Sequence, residues 1–146
     1  MHNSIKWLAT CLLITTLPTA ADPHSSAGLL TVHINGIIEN SGSIELQLLS
    51  NQQQYDEQNP PYRECSQPAD TQSAICVFSD VPHGDYAIFV FHDKNSDGDL
   101  NMNYFGIPTE RLGLTNVNLE TNEYPSFDDS KFSFNSQHAQ VFLNLQ

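Results

Sequence analysis

The sequence has few basic residues: five Lys and Arg stand against 17 Asp and Glu in 146 residues, a formal net charge of −12. A nucleic-acid-binding protein needs a cluster of positive charge that displaces counterions from the phosphates, and the sequence has no such cluster. Docking on an anionic membrane surface is disfavoured for the same reason. The composition therefore excludes nucleic acid as a partner and fits cation binding or plain solubility.

Long apolar segments are also absent, since no run reaches the roughly 20 residues of a membrane-spanning helix. The longest run, residues 7–17, follows Lys6 and precedes a proline and a stretch of small residues that ends at Ala21. This order is typical of a secretory signal peptide. We therefore predict a signal peptide at residues 1–21 and a single mature domain at residues 22–146, periplasmic or secreted, with no transmembrane segment.

Cysteine is scarce as well. Of the three cysteines, Cys11 lies in the predicted signal peptide, which leaves Cys65 and Cys76 in the mature chain. An oxidising compartment would allow these two to pair. A redox-active or metal-binding pair is the alternative, but the C-x-x-C spacing of such sites is missing. We predict a structural disulfide.

The mature chain alternates apolar and polar residues with the period of strands, not of helices. Residues 30–34 and 44–48 predict two strands, which we expect to form a first hairpin. Residues 86–91 are apolar on both faces, as expected for a central strand. Other predicted strands are residues 75–78, 114–119, 132–134 and 141–145, with a loop at residues 52–61. The fold class is therefore predicted to be all-β, an antiparallel β-sandwich of about seven strands.

The polar segment that follows the predicted central strand has the pattern of a calcium loop. Three short oxygen-bearing side chains alternate, and Gly98 follows them where the chain must reverse. Calcium prefers six to eight oxygen ligands. We call residues 93–101 the acidic loop and predict a calcium site there, with the ligands Asp93, Asn95, Asp97, Asp99 (through its backbone carbonyl) and Asn101.

The acidic loop is not an EF-hand, because Tyr104 stands where a bidentate Glu is required and the flanking pattern is that of a strand. A distant carboxylate must then complete the site. We expect Glu110 in this role, with Asp128 or Asp129 as alternatives. The competing interpretation is a turn rich in Asp, Asn and Gly that holds no ion, since these residues favour turns for local reasons.

His92, beside Asp93, is the one candidate for acid–base chemistry near this loop. A His at the end of a strand also serves as a structural hydrogen-bonding group. Sequence motifs of serine hydrolases, zinc peptidases and phosphate-binding loops are absent. The sequence therefore favours a protein that is not an enzyme, with a small hydrolase using His92 and a nearby carboxylate as the alternative.

Several segments carry a family resemblance: Val-Pro-His-Gly-Asp-Tyr at residues 81–86, His-Asp-Lys-Asn at 92–95, Gly-Ile-Pro-Thr-Glu at 106–110 and Pro-Ser-Phe at 125–127. In this order they resemble the DUF2141 family, small exported bacterial proteins of unknown function, over residues 30–145. The resemblance implies an exported domain with a transthyretin-like or Ig-like sandwich and implies no catalytic residues. The family commonly has an acidic residue where this chain has Asn101, and often Lys where it has Asp99.

The leading hypothesis is an exported β-sandwich in which calcium orders the acidic loop. Such a site would be purely structural, or it would present a surface to a carbohydrate, a protein or a small ligand. An interaction module within a larger assembly of the cell envelope is a further hypothesis.

Overall fold

The computed structural model describes residues 26–122 and 124–146. The predicted signal peptide and its cleavage site after Ala21 lie outside these residues. The described chain forms eight strands and two one-turn helices. In chain order they are β1 (Ala27–Asn35), β2 (Ser43–Leu49), α1 (Gln52–Tyr55), β3 (Arg63–Pro68), β4 (Ser73–Pro82), β5 (Gly84–Asp93), β6 (Leu112–Leu114), α2 (Phe127–Ser130), β7 (Phe132–Phe134) and β8 (His138–Asn144). Within the described ranges, no helix has the length and apolar character needed to cross a membrane.

The strands form two sheets whose apolar faces pack together. The first sheet has the order β4-β1-β8, and the second has the order β3-β2-β5-β6, with β7 also paired to β5. All pairs are antiparallel except β1 and β8, which run parallel. The core between the sheets includes Leu30, Val32, Ile34, Ile44, Leu46, Leu48, Ile88 and Val90. The predicted all-β sandwich is confirmed, with eight strands in the described residues.

Strand β3 is one of the elements that the sequence did not reveal, together with the one-turn helices α1, which lies in the predicted loop at residues 52–61, and α2. The residues of β3, Arg63 to Pro68, are mostly polar and alternate between half-buried and exposed positions. The strand lies at the edge of the second sheet and, among the described strands, pairs with β2 alone. An edge strand of this kind buries little apolar surface, so its sequence lacks the alternation that identifies a strand.

The predicted first hairpin is wrong, although both of its strands exist. Strand β1 pairs with β4 and β8, whereas β2 pairs with β3 and β5 in the other sheet. The connection between β1 and β2 therefore crosses from one sheet to the other. Alternation shows which side chains of a strand face the core, but both sheets share that core, so it does not identify the partner strand.

Strand β5 is central, as predicted, with β2 on one side and β6 and β7 on the other. Its inner face joins the main core, while Ala87 on its outer face packs with Leu49 and Phe127 in a second apolar cluster. The strand predicted at residues 114–119 is mostly absent, because β6 ends at Leu114. Asn116 there has a positive φ of 59°, which is incompatible with a continuing strand.

The disulfide between Cys65 and Cys76 is present, as predicted. Cys65 belongs to β3 and Cys76 to β4, so the bond joins the edges of the two sheets. The fully buried Cys76 is part of the main core, and the half-buried Cys65 packs against it. The covalent link therefore holds the two layers of the sandwich together at one side.

Candidate functional site

The acidic loop begins where β5 ends. Its first residue, Asp93, is the last residue of the strand and only 1% exposed. The next strand, β6, begins only at Leu112. The loop is therefore anchored at one end by a central strand of the sheet, and its remaining polar residues lie at the surface.

The carboxylate of Asp93 organises the first turn of the loop. Its Oδ2 accepts a hydrogen bond of 2.8 Å from the backbone N–H of Gly98, and its Oδ1 accepts one of 3.3 Å from that of Asp97. Gly98 has a φ of +86°, a conformation that favours glycine. The reversal predicted at Gly98 is therefore observed, and it folds the loop back onto the buried carboxylate.

Asp97 is the centre of a second set of hydrogen bonds. Its Oδ1 accepts from the backbone N–H of Asp99 at 3.0 Å, and its Oδ2 accepts from the side-chain amides of Asn95 and Asn101 at 2.7 and 3.1 Å. These bonds, the one from Asp99 first, hold the pKa of the Asp97 carboxyl below its ordinary value. Four of the five predicted loop ligands thus take part in these hydrogen bonds through their side chains. They are Asp93, Asn95, Asp97 and Asn101.

Asp99 differs from the other predicted ligands, because it joins these hydrogen bonds through its backbone N–H and not through its side chain. Its side chain is exposed. The sequence predicted a backbone role for this residue, as a carbonyl donor to calcium.

Glu110 closes the loop, although it lies nine residues beyond Asn101. Its Oε1 accepts from the backbone N–H of Lys94 and its Oε2 from that of Asn101, both at 2.9 Å. The side chain is 7% exposed. One carboxylate therefore ties the start of the acidic loop to its end.

The two alternative carboxylates are engaged in α2. Asp129 bonds with Ser126 in a capping box, and Asp128 forms an ion pair with Lys131 at 2.7 Å. Glu110, the preferred candidate for the remote carboxylate, is the one that contacts the acidic loop.

The charge of the loop has no basic partner in the parts of the chain that the structure describes. Asp93, Asp97 and Glu110 accept hydrogen bonds only from neutral N–H groups, and neither of the ion pairs involves them. Lys94, the basic residue of the loop, contacts Glu39 at 2.9 Å instead. Two of these carboxylates are buried, which is unfavourable without a compensating positive charge. The donor set, all oxygen, fits a hard divalent cation.

The carboxylates do not by themselves form a complete site. Among residues 26–122 and 124–146, no three His, Cys, Asp or Glu side chains are grouped closely enough to hold a metal ion unaided. The amide oxygens of Asn95 and Asn101, backbone carbonyls and water would have to supply the remaining ligands. Asn side chains can do so, because rotation of the amide group by 180° exchanges its nitrogen and oxygen.

His92 is fully buried and directed away from solvent. Its Nε2 lies 2.8 Å from the backbone oxygen of Ser41, and its Nδ1 has no hydrogen-bond partner among the residues that the structure describes. A general base must reach the proton that it removes from a substrate. This position fits the structural alternative for His92 and gives no support to the hydrolase alternative.

Beyond the acidic loop, the chain forms an exposed apolar tip that the sequence patterns did not predict. A bridge between Met102 and Pro108 forms its base, and the Oδ1 of Asn103 accepts from the backbone N–H groups of Phe105 and Ile107. Tyr104 and Phe105 at the tip are 96% and 81% exposed. The available signal was a pair of aromatic residues between Asn103 and Gly106, both turn formers.

Comparison with known proteins found no match among curated proteins and none among solved structures. One family model does match, that of DUF2141, described as an uncharacterized protein conserved in bacteria, and it spans residues 32–141. This match runs from within β1 to within β8 and includes the acidic loop and Glu110. The resemblance inferred from the sequence motifs is thereby confirmed: the chain belongs to the DUF2141 family.

Proposed function

We propose that the protein is an exported, non-enzymatic binding module in which calcium stabilises the acidic loop. The observation that carries this proposal is the position of Glu110, which lies at the loop and bonds to both of its ends. Asp93, Asp97 and Glu110 each accept hydrogen bonds from backbone N–H groups of the acidic loop, so three negative charges contact the same loop. A divalent cation there would compensate most of that charge.

The proposed ligands are oxygen atoms of Asp93, Asn95, Asp97, Asn101 and Glu110, with the backbone carbonyl of Asp99 as a further candidate. When bound, the ion would supply positive charge and coordination bonds, and no chemistry beyond that is required of it. The hydrogen bonds of the loop define the alternative, a turn that is complete without an ion. In the proposal, calcium adds stability to a loop that already has its shape.

Export is the second part of the proposal. It rests on the signal-like order of residues 1–21 and on the disulfide, since such bonds persist in oxidising compartments. The periplasm or the extracellular space therefore suits the protein, and millimolar calcium is a reasonable condition for a weak extracellular site.

The test is the thermal stability of the protein, purified in the form that the cell produces, in EDTA, in calcium and in magnesium. Calcium at about 100 times its dissociation constant adds about 2.7 kcal/mol to the free energy of unfolding, which raises Tm by several degrees. Asp97→Asn should abolish this rise, while Asp70→Asn, an exposed residue outside the acidic loop, should preserve it. An equal Tm in EDTA and in calcium would show that the loop is a turn without an ion.

A further inference from the structure

The outer face of the second sheet, opposite the core, carries two rows of side chains that cross four strands. On β2, Glu45 and Gln47 alternate with core residues and so point outward. Residues on β3, β5 and β6 that stand in register with Glu45 or with Gln47 extend each of these two positions into a row across the sheet. The first row is Ser66, Glu45, Phe91 and Leu112, and the second is Glu64, Gln47, Phe89 and Leu114.

Two surface segments stand beside these rows and make the face concave. One is the segment from α1 to Pro61, and the other is the part of the acidic loop and its continuation that contains Gly98, Leu100 and Met102. Between them lies a groove of about 550 Å³ whose floor includes Phe89 and Phe91. Hollows of about 330 and 250 Å³ adjoin it at opposite ends and share Gln47 with it. We call the three together the sheet groove.

The sheet groove has the length of a short extended peptide. It runs from β3 to β6, which is three spacings of about 4.8 Å between neighbouring strands, or about 14 Å in total. An extended chain rises about 3.4 Å per residue, so roughly four residues would span it.

The two ends of the sheet groove differ in chemistry. At the β6 end the lining is mostly apolar, with Leu112, Leu114 and Leu119, and Glu57 is the one carboxylate at its margin among the described residues. At the β3 end it contains Glu45 and Glu64, and further carboxylates, Glu57 and Asp99, belong to the walls of the middle part. A ligand that matches this gradient has an apolar group at one end and positive charge at the other.

Within residues 26–122 and 124–146, the carboxylates of the sheet groove have no partner of opposite charge. No Lys or Arg of these ranges lines any of its three parts. The basic side chains that the structure describes make contacts elsewhere: Arg63 with backbone oxygens of Ser79 and Asp80, Lys94 with Glu39, Arg111 with the backbone oxygen of Leu145, and Lys131 with Asp128. The described residues therefore supply no positive charge that complements the groove, and a basic ligand would supply it.

We infer that the sheet groove binds an extended basic segment of a partner protein, about four residues long. An apolar side chain of that segment occupies the hollow beside Leu114, and Lys or Arg side chains lie next to Glu45 and Glu64. A cationic side chain is also attracted to the face of the Phe89 ring by a cation–π interaction. The inference goes beyond the proposed calcium site and does not depend on it.

The experiment uses isotope-labelled protein and, as the probe, the acetylated and amidated tetrapeptide leucyl-glycyl-lysyl-arginine, followed by NMR. We expect its addition to shift the signals of Gln47, Glu64 and Phe89, with an affinity that falls as salt is added. The same peptide with two glutamates in place of its basic residues should not bind. Cellotetraose tests the rival occupant, a neutral oligosaccharide held by the amide side chains of the groove.

A matched pair of double variants separates local charge from net charge. Glu45→Gln with Glu64→Gln should weaken binding of the basic peptide about tenfold, the effect of losing two exposed ion pairs. Asp70→Asn with Glu120→Gln makes the same change in net charge at exposed positions outside the groove and should leave the affinity unchanged.

Three results would overturn the inference: no binding of the basic peptide, equal weakening by both double variants, or binding of cellotetraose in its place. Each titration is run in EDTA and again in calcium. A missing rise of Tm with calcium contradicts only the calcium site, whereas absent peptide shifts under both conditions contradict only the peptide groove.

Discussion

Gly42 lies directly against the backbone carbonyl of Asp93, and a Cβ added to Gly42 would clash with that oxygen. Gly42 also has a φ of +74°, which L-residues rarely adopt. The turn that leads into β2 can therefore approach the end of β5 only because residue 42 has no side chain. This contact fixes the base of the acidic loop against the neighbouring strand.

Gly42→Ala is accordingly expected to destabilise the fold by about 2 kcal/mol or more, through backbone strain and displacement of Asp93 together. Gly106→Ala is the matched control, because Gly106 has nearly the same φ, +75°, with no atom within 4 Å of the added Cβ. Urea unfolding of both variants measures the difference. Equal losses would show that strain alone matters and that the contact with Asp93 does not.

Glu110→Gln should loosen the loop more than it destabilises the whole domain. The Gln side chain has one acceptor oxygen where Glu has two, so one of the backbone N–H groups, of Lys94 or of Asn101, loses its partner. We expect a loss of about 1–2 kcal/mol, and faster hydrogen exchange at one or both of these amides. Glu120→Gln, at an exposed position, should leave their exchange rates unchanged. Unaltered protection of both amides in Glu110→Gln would contradict the closing role of Glu110.

Replacing Cys65 and Cys76 together by Ala should lower the free energy of unfolding by about 2–3 kcal/mol, the value expected for a closed chain segment of this length. Because the bond joins the two sheets, reduction of the native protein should have a similar effect. Urea unfolding with and without reductant measures both. The double variant provides the control, since reductant should not change its unfolding midpoint. An oxidised protein as unstable as the variant would be inconsistent with this role.

The capping box of α2 predicts a dependence of stability on acid. Hydrogen bonds from the side chain and backbone of Ser126 hold the pKa of the Asp129 carboxyl below its ordinary value. A lowered pKa in the folded state means that the ionised carboxylate contributes stability above its ordinary pKa. That contribution is lost as the pH falls through the lowered value.

Asp129→Asn should therefore be less stable than the native protein near neutral pH, with the difference shrinking as the pH falls below about 4. Thermal unfolding of both proteins between pH 6 and pH 2 measures this trend. Asp70→Asn, at an exposed position, should show no such convergence. A difference in Tm that stays constant down to pH 2 would argue against a role of the ionised Asp129.

The layers of the fold could be predicted from the sequence, but the pairing of its strands could not. Alternating residues such as Leu30, Val32 and Ile34 identify a strand with one face toward a core, and the structure buries all three. The partner of β1 is set by contacts distant in sequence, with β4 and β8, and local patterns carry no information on them.

The acidic loop shows the same division. The spacing of Asp93, Asn95 and Asp97 and the position of Gly98 predicted the local turn, because the hydrogen bonds within it join residues close in sequence. Glu110 was preferred among three remote carboxylates, but only the folded chain shows that it reaches the loop. The sheet groove was missed altogether, since its rows combine residues from four strands, and β3 and its pairing with β2 were not predicted.

The parallel pairing of β1 with β8 has a consequence for the order in which the molecule can be completed. Residues 27–35 are synthesised long before residues 138–144, yet they occupy neighbouring places in one sheet. Until β8 arrives, one side of β1 is an open edge whose N–H and C=O groups can pair with another chain. Contacts between residues so distant in sequence also slow folding. A nascent or truncated chain that lacks β8 is thus exposed to aggregation even when every other strand is already present.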